Sequence, residues 1–131
     1  MNPLILIVDD DRSNRKLVSM VLDMEGYFVL TAETAEEALD LIRDATPDLV
    51  LIDLELPGMN GLSLAHLLRT GESTRHLPLI ALSAHAMPDE ISKAAAAGCD
   101  AYITKPIDTR KFCEQIARHL KADASPRPGT E

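Results

Sequence analysis

Four places in this sequence carry residues whose types could do chemistry together: Asp9-Asp10-Asp11, Asp53, Ser83 and Lys105. Each follows a short apolar run. Three carboxylates gathered in one crevice repel strongly unless something neutralises them. A hard divalent cation does so, and an all-oxygen ligand set suits Mg²⁺, which keeps room for water and phosphate oxygens. Lys105 can offer a point charge to a phosphate oxygen, and Ser83 a hydroxyl donor. A carboxylate can also act as the nucleophile in phosphoryl transfer, forming an aspartyl phosphate. Asp53 is the best candidate for that role. It stands alone at the end of its run, ahead of a loop, Leu-Glu-Leu-Pro-Gly-Met-Asn-Gly, that can open space above it.

Taken singly, none of these residues means much. Acids after a strand favour the N-terminus of the next helix, and Asp11 reads best as such a cap. A lone Ser83 is a strand-end hydroxyl and a lone Lys105 is an exposed lysine. Their meaning depends on the elements that bring them together. Five apolar runs recur, at 4–8, 27–32, 49–52, 79–82 and 101–103. Most are continuous rather than alternating, as in strands covered on both faces. Between them lie helical patterns: 13–25, stopped by Gly26; a second from Thr34, where Glu37 completes a capping box; 62–69; 89–97, stopped by Gly98; and 108–121. Leu17, Val18, Val21 and Leu22 are expected on the inner face of the first, with Met20 and Met24 in the core or at its margin. Phe112, Ile116, Ala117 and Leu120 are expected inside on the fifth.

Strand and helix alternate five times, which implies a parallel sheet with helices on both faces. In such sheets ligands bind beyond the carboxyl ends of the strands, where strand order reverses. That is where the chemical residues fall. The second run is followed only by Glu33 and Thr34, as expected of an edge strand away from the site.

Composition narrows the function classes. A chain of 131 residues is one domain by the usual prior. The net charge of −8 argues against direct nucleic-acid binding, which needs Lys and Arg for the phosphates. Cys99 and Cys113 match no metal spacing and read as reduced, packed thiols. No run approaches the ~20 apolar residues of a membrane span, so membrane insertion is not expected and the chain reads as cytoplasmic. The segment 123–131, rich in Pro, Gly and polar residues, reads as a disordered tail after a domain at 1–122.

The motifs together resemble the response-regulator receiver domain of two-component signalling. They are Ile-Leu-Ile-Val-Asp-Asp at 5–10, Asp-Leu-Val-Leu-Ile-Asp-Leu-Glu-Leu-Pro-Gly-Met-Asn-Gly at 48–61, Ala-Leu-Ser-Ala at 81–84 and Gly-Cys-Asp-Ala-Tyr-Ile-Thr-Lys-Pro-Ile at 98–107. The resemblance covers about residues 3 to 121. It implies a flavodoxin-like, doubly wound, five-stranded parallel sheet in the order 2-1-3-4-5 with five helices. It implies that Asp53 is the phosphoacceptor and that Asp10 is a direct Mg²⁺ ligand. Asp9 then acts through metal-bound water, and the backbone carbonyl of Glu55 is a further ligand. Ser83 matches the switch hydroxyl, Lys105 the phosphate-facing lysine, Tyr102 the aromatic rotamer switch, and Pro106 a proline usually preceded by a cis bond. Ser at 83 stands where Thr is commoner. Glu55 is acidic close to the site, where with His85 it could tune the lifetime of the phosphate.

The implied function is a phosphorylation-gated binding module, not a turnover enzyme, that catalyses only its own phosphotransfer and autodephosphorylation. A histidine kinase or histidine phosphotransfer protein donates the phosphoryl group. An output protein then binds at the surface of the fourth helix, fifth strand and fifth helix, with the chain a monomer or a phosphorylation-favoured dimer. The alternative within the family is a receiver module of a hybrid histidine kinase or larger regulator. A haloacid-dehalogenase-type phosphatase would want Asp where Glu55 stands. A flavin carrier would want a Ser/Thr/Gly-rich loop where 9–11 are acidic.

Overall fold

A computed structural model describes residues 2–56, 60–85 and 87–124, the last four as backbone only. Five strands alternate with five helices. The order is β1 (Leu4–Val8), α1 (Arg12–Met24), β2 (Phe28–Ala32), α2 (Ala35–Ala45), β3 (Leu49–Asp53), α3 (Gly61–Thr70), β4 (Leu79–Ser83), α4 (Pro88–Ala97), β5 (Ala101–Thr104) and α5 (Thr109–Ala124). All strand pairs are parallel, and the sheet runs β2-β1-β3-β4-β5 as expected.

The continuous apolar runs are explained by two cores, one on each face of the sheet. Leu6, Val8, Val50, Ile52 and Leu79 face α2 and α3, where Ile42, Leu64 and Leu68 meet them. Ile5, Ile7, Leu49, Leu51, Ile80 and Leu82 face α1 and α5, meeting Val18, Leu22, Phe112 and Ile116. Cys99 packs against the first core and Cys113 against the second, so the sheet separates the two thiols. Both are free, and burial pushes Cys99 up to about 11, with Asp100 adding to it.

The helices start where their caps demand. The Asp11 carboxylate accepts from the backbone N–H of Ser13 and Asn14, Thr34 caps α2, and Asn60 caps α3. Glu37 reaches back to the Glu33 N–H at 2.6 Å, next to the cap at Thr34. Two inner-face expectations fail. Leu17, Met20 and Met24 are exposed, and so is Ala117. In each helix the sheet covers a narrow stripe, Val18/Leu22 in α1 and Phe112/Ile116 in α5, and residues a quarter-turn away fall outside it. Helix α5 runs to Ala124, two residues past the expected domain end, and the rest of the tail lies outside the described residues.

Strand register sets the site. Val8 pairs with Ile52, Asp53 with Leu82, and Ser83 with Thr104. The residues that follow Val8 therefore lie beside Asp53 at one edge of the sheet. Strands β3, β4 and β5 run one residue beyond their apolar cores, so Asp53, Ser83 and Thr104 are their last members rather than loop residues.

Helix α3 begins close against the end of β3. A Cβ added at Gly61 would lie 2.5 Å from the Asp53 carbonyl oxygen and 2.7 Å from the Leu54 Cα, both backbone atoms that cannot swing aside. Gly61→Ala should therefore cost roughly 1–3 kcal/mol of stability, the range for an overpacked contact. Urea unfolding would measure it, and an unchanged midpoint would refute the close approach.

Candidate functional site

The order 2-1-3-4-5 reverses direction between β1 and β3, and a crevice opens beyond their carboxyl ends. Asp9 follows β1 and Asp53 ends β3, so the two flank that point. Both are buried, at 0% and 2% exposure, whereas Asp10 is exposed. One carboxylate oxygen from each of Asp9, Asp10 and Asp53 lies within 4.8 Å of the others. That set of hard oxygens fits a divalent cation.

Buried carboxylates need partners, and each has them. Lys105, the residue after β5, sets its Nζ 3.2 Å from Asp53 Oδ2 and 3.5 Å from Asp9 Oδ2. The Glu55 N–H donates to Asp53 Oδ1 at 2.9 Å, and the Asp11 N–H to Asp9 Oδ1 at 2.9 Å. Asn14 Nδ2 donates to Asp9 Oδ2, and Arg15 Nη1 donates to the Asp9 carbonyl oxygen at 2.9 Å. Arg15 also lies 3.9 Å from Glu33, the one acid the second strand contributes.

The balance of these forces shows in the titration of the site. Burial, with Asp9 beside it, pushes Asp53 up to about 6, although the Glu55 N–H and Lys105 pull the other way. For Lys105 burial acts downward, but Asp53 and Asp9 outweigh it and hold the ammonium above its ordinary value. The lysine therefore stays charged at neutral pH. The Lys105–Pro106 bond is cis, as the resemblance implies.

Ser83 is fully buried at the end of β4. Its hydroxyl donates to Glu55 Oε2 at 2.5 Å, and the Ala84 N–H approaches Glu55 Oε1 at 3.5 Å. Among the described residues no hydrogen bond joins Ser83 to Asp53. The His85 N–H donates to Ser83 Oγ at 3.1 Å, and the Tyr102 hydroxyl donates to the His85 carbonyl oxygen. Tyr102 is half-buried on β5 and away from the carboxylates.

The response regulator receiver domain family matches residues 5–117. This chain belongs to that family. It is 38% identical over 120 residues to the polar-differentiation response regulator DivK of Brucella ovis, covering 92% of this chain and 98% of that one. A putative response regulator from Chloroflexus aurantiacus superposes with a TM-score of 0.89 at 31% identity, covering 92% of this chain and 98% of that one. A CheY-like receiver domain protein from Methanospirillum hungatei gives 0.87 at 32% identity, covering 94% and 97%. The protein is thus a receiver domain of a two-component response regulator, a signalling switch with the family's acidic cluster.

Within the receiver fold, the tertiary structure brings Asp9, Asp10, Asp53 and Lys105 together and sets Ser83 beside them, turned toward Glu55. Asp11 caps α1, as expected. Asn14 and Arg15 escaped sequence reasoning, and the Glu55 side chain, expected near the site, proves to be the acceptor of the Ser83 hydroxyl. A signal was available for the first two. They sit on the first turn of a helix that starts beside Asp9, and side chains there lean back toward the N-terminus.

Asp53 makes a pH prediction. A carboxyl group held at about 6 favours its neutral form in the folded state, so stability falls as pH rises from about 4 to 6. The raised Lys105 adds stability below its unfolded value and loses it only at alkaline pH, so it is constant across this window. Without divalent cation, Asp53→Asn should be more stable than wild type at pH 7, by about 1–2 kcal/mol after screening at the open crevice. The advantage should vanish near pH 4. Thermal unfolding at both pH values checks it, and equal stabilities at pH 7 would refute it.

Proposed function

We propose that Asp53 is the phosphoryl acceptor of this receiver domain and that its modification switches a binding surface. The observation that carries this is a buried carboxylate with a lysine 3.2 Å away and two further carboxylates alongside. In the transfer, an Asp53 oxygen forms a bond to phosphorus as the bond from phosphorus to the donor's imidazole nitrogen breaks. The donor is a histidine kinase or histidine phosphotransfer protein, whose phosphoimidazole, protonated on its other ring nitrogen, leaves as neutral imidazole. Asp53 at about 6 is mostly ionised at neutral pH, as a nucleophile must be. The fit of the oxygen set supports Mg²⁺ held by Asp10, Asp53 and the Glu55 backbone carbonyl, with Asp9 acting through water. Bound there, Mg²⁺ would offset charge on the phosphoryl oxygens. Hydrolysis of the acyl phosphate returns the resting state, so the chemistry is limited to the domain's own phosphotransfer and autodephosphorylation.

Lys105 already stands beside Asp53, so it receives the new charge in place. Ser83 is the group that must turn. The readout then passes toward Tyr102 and the surface of α4, β5 and α5, where an output protein binds. A monomer in the resting state, or a dimer favoured by phosphorylation, is compatible with that surface. Among the described residues no helix is long and apolar enough to cross a membrane, which supports a cytoplasmic site of action. The acidic net charge, −8, supports a protein rather than a nucleic-acid partner. The functional unit is the receiver domain, expected at 1–122 and carried by α5 to Ala124.

Incubation with Mg²⁺ and a small acyl phosphate, followed by mass spectrometry, should add one acid- and base-labile phosphate to the wild type. Asp53→Asn should gain none. Asp10→Asn and Lys105→Ala should label at least about tenfold more slowly, the scale of losing one preorganised charge contact. Full labelling of Asp53→Asn would sink the assignment.

A further inference from the structure

The Ser83 hydroxyl has one proton, and it is committed to Glu55. Its 2.5 Å contact to a carboxylate oxygen is in the range of a charge-assisted hydrogen bond. A hydroxyl donates one hydrogen bond at a time. Ser83 therefore cannot serve Glu55 and a phosphoryl group on Asp53 together. The Glu55 side chain is exposed, so it is free of structural duties in either core. Its carboxylate also faces the Ala84 N–H, the group next to Ser83 along the same segment.

We propose that the Glu55 carboxylate is the resting-state latch of this switch, holding the Ser83 hydroxyl away from Asp53 until a phosphoryl group competes for it. The proposal rests on Asp53 being the acceptor. A phosphoryl group brings about two negative charges and three strong acceptor oxygens, so it outbids a single carboxylate for the same proton. The latch reaches further than Ser83. The hydroxyl oxygen also accepts from the His85 N–H, and the His85 carbonyl accepts from the Tyr102 hydroxyl. Glu55, Ser83, His85 and Tyr102 thus form one hydrogen-bonded chain from the site edge to β5. Turning the hydroxyl away from Glu55 removes the anchor of the β4–α4 segment at one end and of Tyr102 at the other. Glu55 touches no reacting atom through its side chain, so it is a positioning residue.

Backbone and tyrosine-ring NMR of the metal-free, unphosphorylated protein tests this. The reference line runs between the resting wild type and the wild type phosphorylated with a small acyl phosphate and Mg²⁺. In Glu55→Ala, the Ala84, His85 and Tyr102 resonances should move along that line. The phosphorylated-like population should rise roughly tenfold, the worth of one charge-assisted hydrogen bond. Glu55→Gln, which keeps an acceptor oxygen without the charge, should fall between. Adding Glu55→Ala to Ser83→Ala should leave His85 and Tyr102 unmoved, because the latch reaches them only through that hydroxyl, whereas the Ala84 N–H faces Glu55 directly and is not read in this arm. Resonances that stay at wild-type positions, that leave the reference line, or, for His85 and Tyr102, that shift equally in the Ser83→Ala background would overturn the latch while Asp53 still labels. A wild type that takes no phosphate at Asp53 would instead overturn the acceptor, and the latch with it.

Discussion

Two carboxylates buried side by side cannot persist without compensation, and in this protein Lys105 supplies it. Its ammonium sits 3.2 Å from Asp53 and 3.5 Å from Asp9, at the far end of a strand that is not adjacent to either. Every other feature of the crevice follows from that electrostatic problem. The N–H groups of Glu55 and Asp11 and the amide of Asn14 take up lone pairs the lysine cannot reach. Even so, burial first and the neighbouring Asp9 second push Asp53 up to about 6 against the pull of the Glu55 N–H and Lys105. The residual negative charge is what suits the crevice to a divalent cation.

That compensation is possible because strand ends, not loops, carry the groups. The fully buried strands β3 and β4 hold Asp53 and Ser83 as their last residues, Asp9 and Lys105 directly follow β1 and β5, and rigid elements position groups better than loops do. Helix α3 begins hard against β3, with Gly61 allowing the contact. At the other end of the sheet, Arg69 from α3 donates to the Gly98 carbonyl at 3.0 and 2.7 Å and pairs with Asp100 at 2.9 Å, tying the end of α4 to the start of β5. The beginning of α4 has no side-chain cap. The helix is thus firmly held far from the site and lightly held near it, as suits an element that must respond to events at Ser83.

Much of this was legible in the sequence. Continuous apolar runs, capping residues and the stop glycines yield five strands and five helices, because each signal is local or arises from burial on both faces, while the order of the sheet came from the resemblance of the motifs to the receiver family. The strand-end rule then locates the carboxylates, the hydroxyl and the lysine. The breadth of the buried helix faces was not legible. Leu17, Met20, Met24 and Ala117 have the composition of an inner face, but how much of a helix is covered depends on what packs against it.

By itself, then, the sequence determined the alternation of strands and helices and which acids, hydroxyl and lysine stand at strand ends, since hydrophobic period and strand-end position are written residue by residue. Only the tertiary structure decided who partners whom. Asn14 and Arg15 belong to Asp9 because a helix happens to start beside it, and Lys105 bridges two acids because register aligns three strand ends. Ser83, expected as a donor to a phosphate oxygen, donates to Glu55 in this structure. A hydroxyl's single proton goes to the best-placed acceptor, and placement at that scale is a property of packed elements rather than of spacing along the chain.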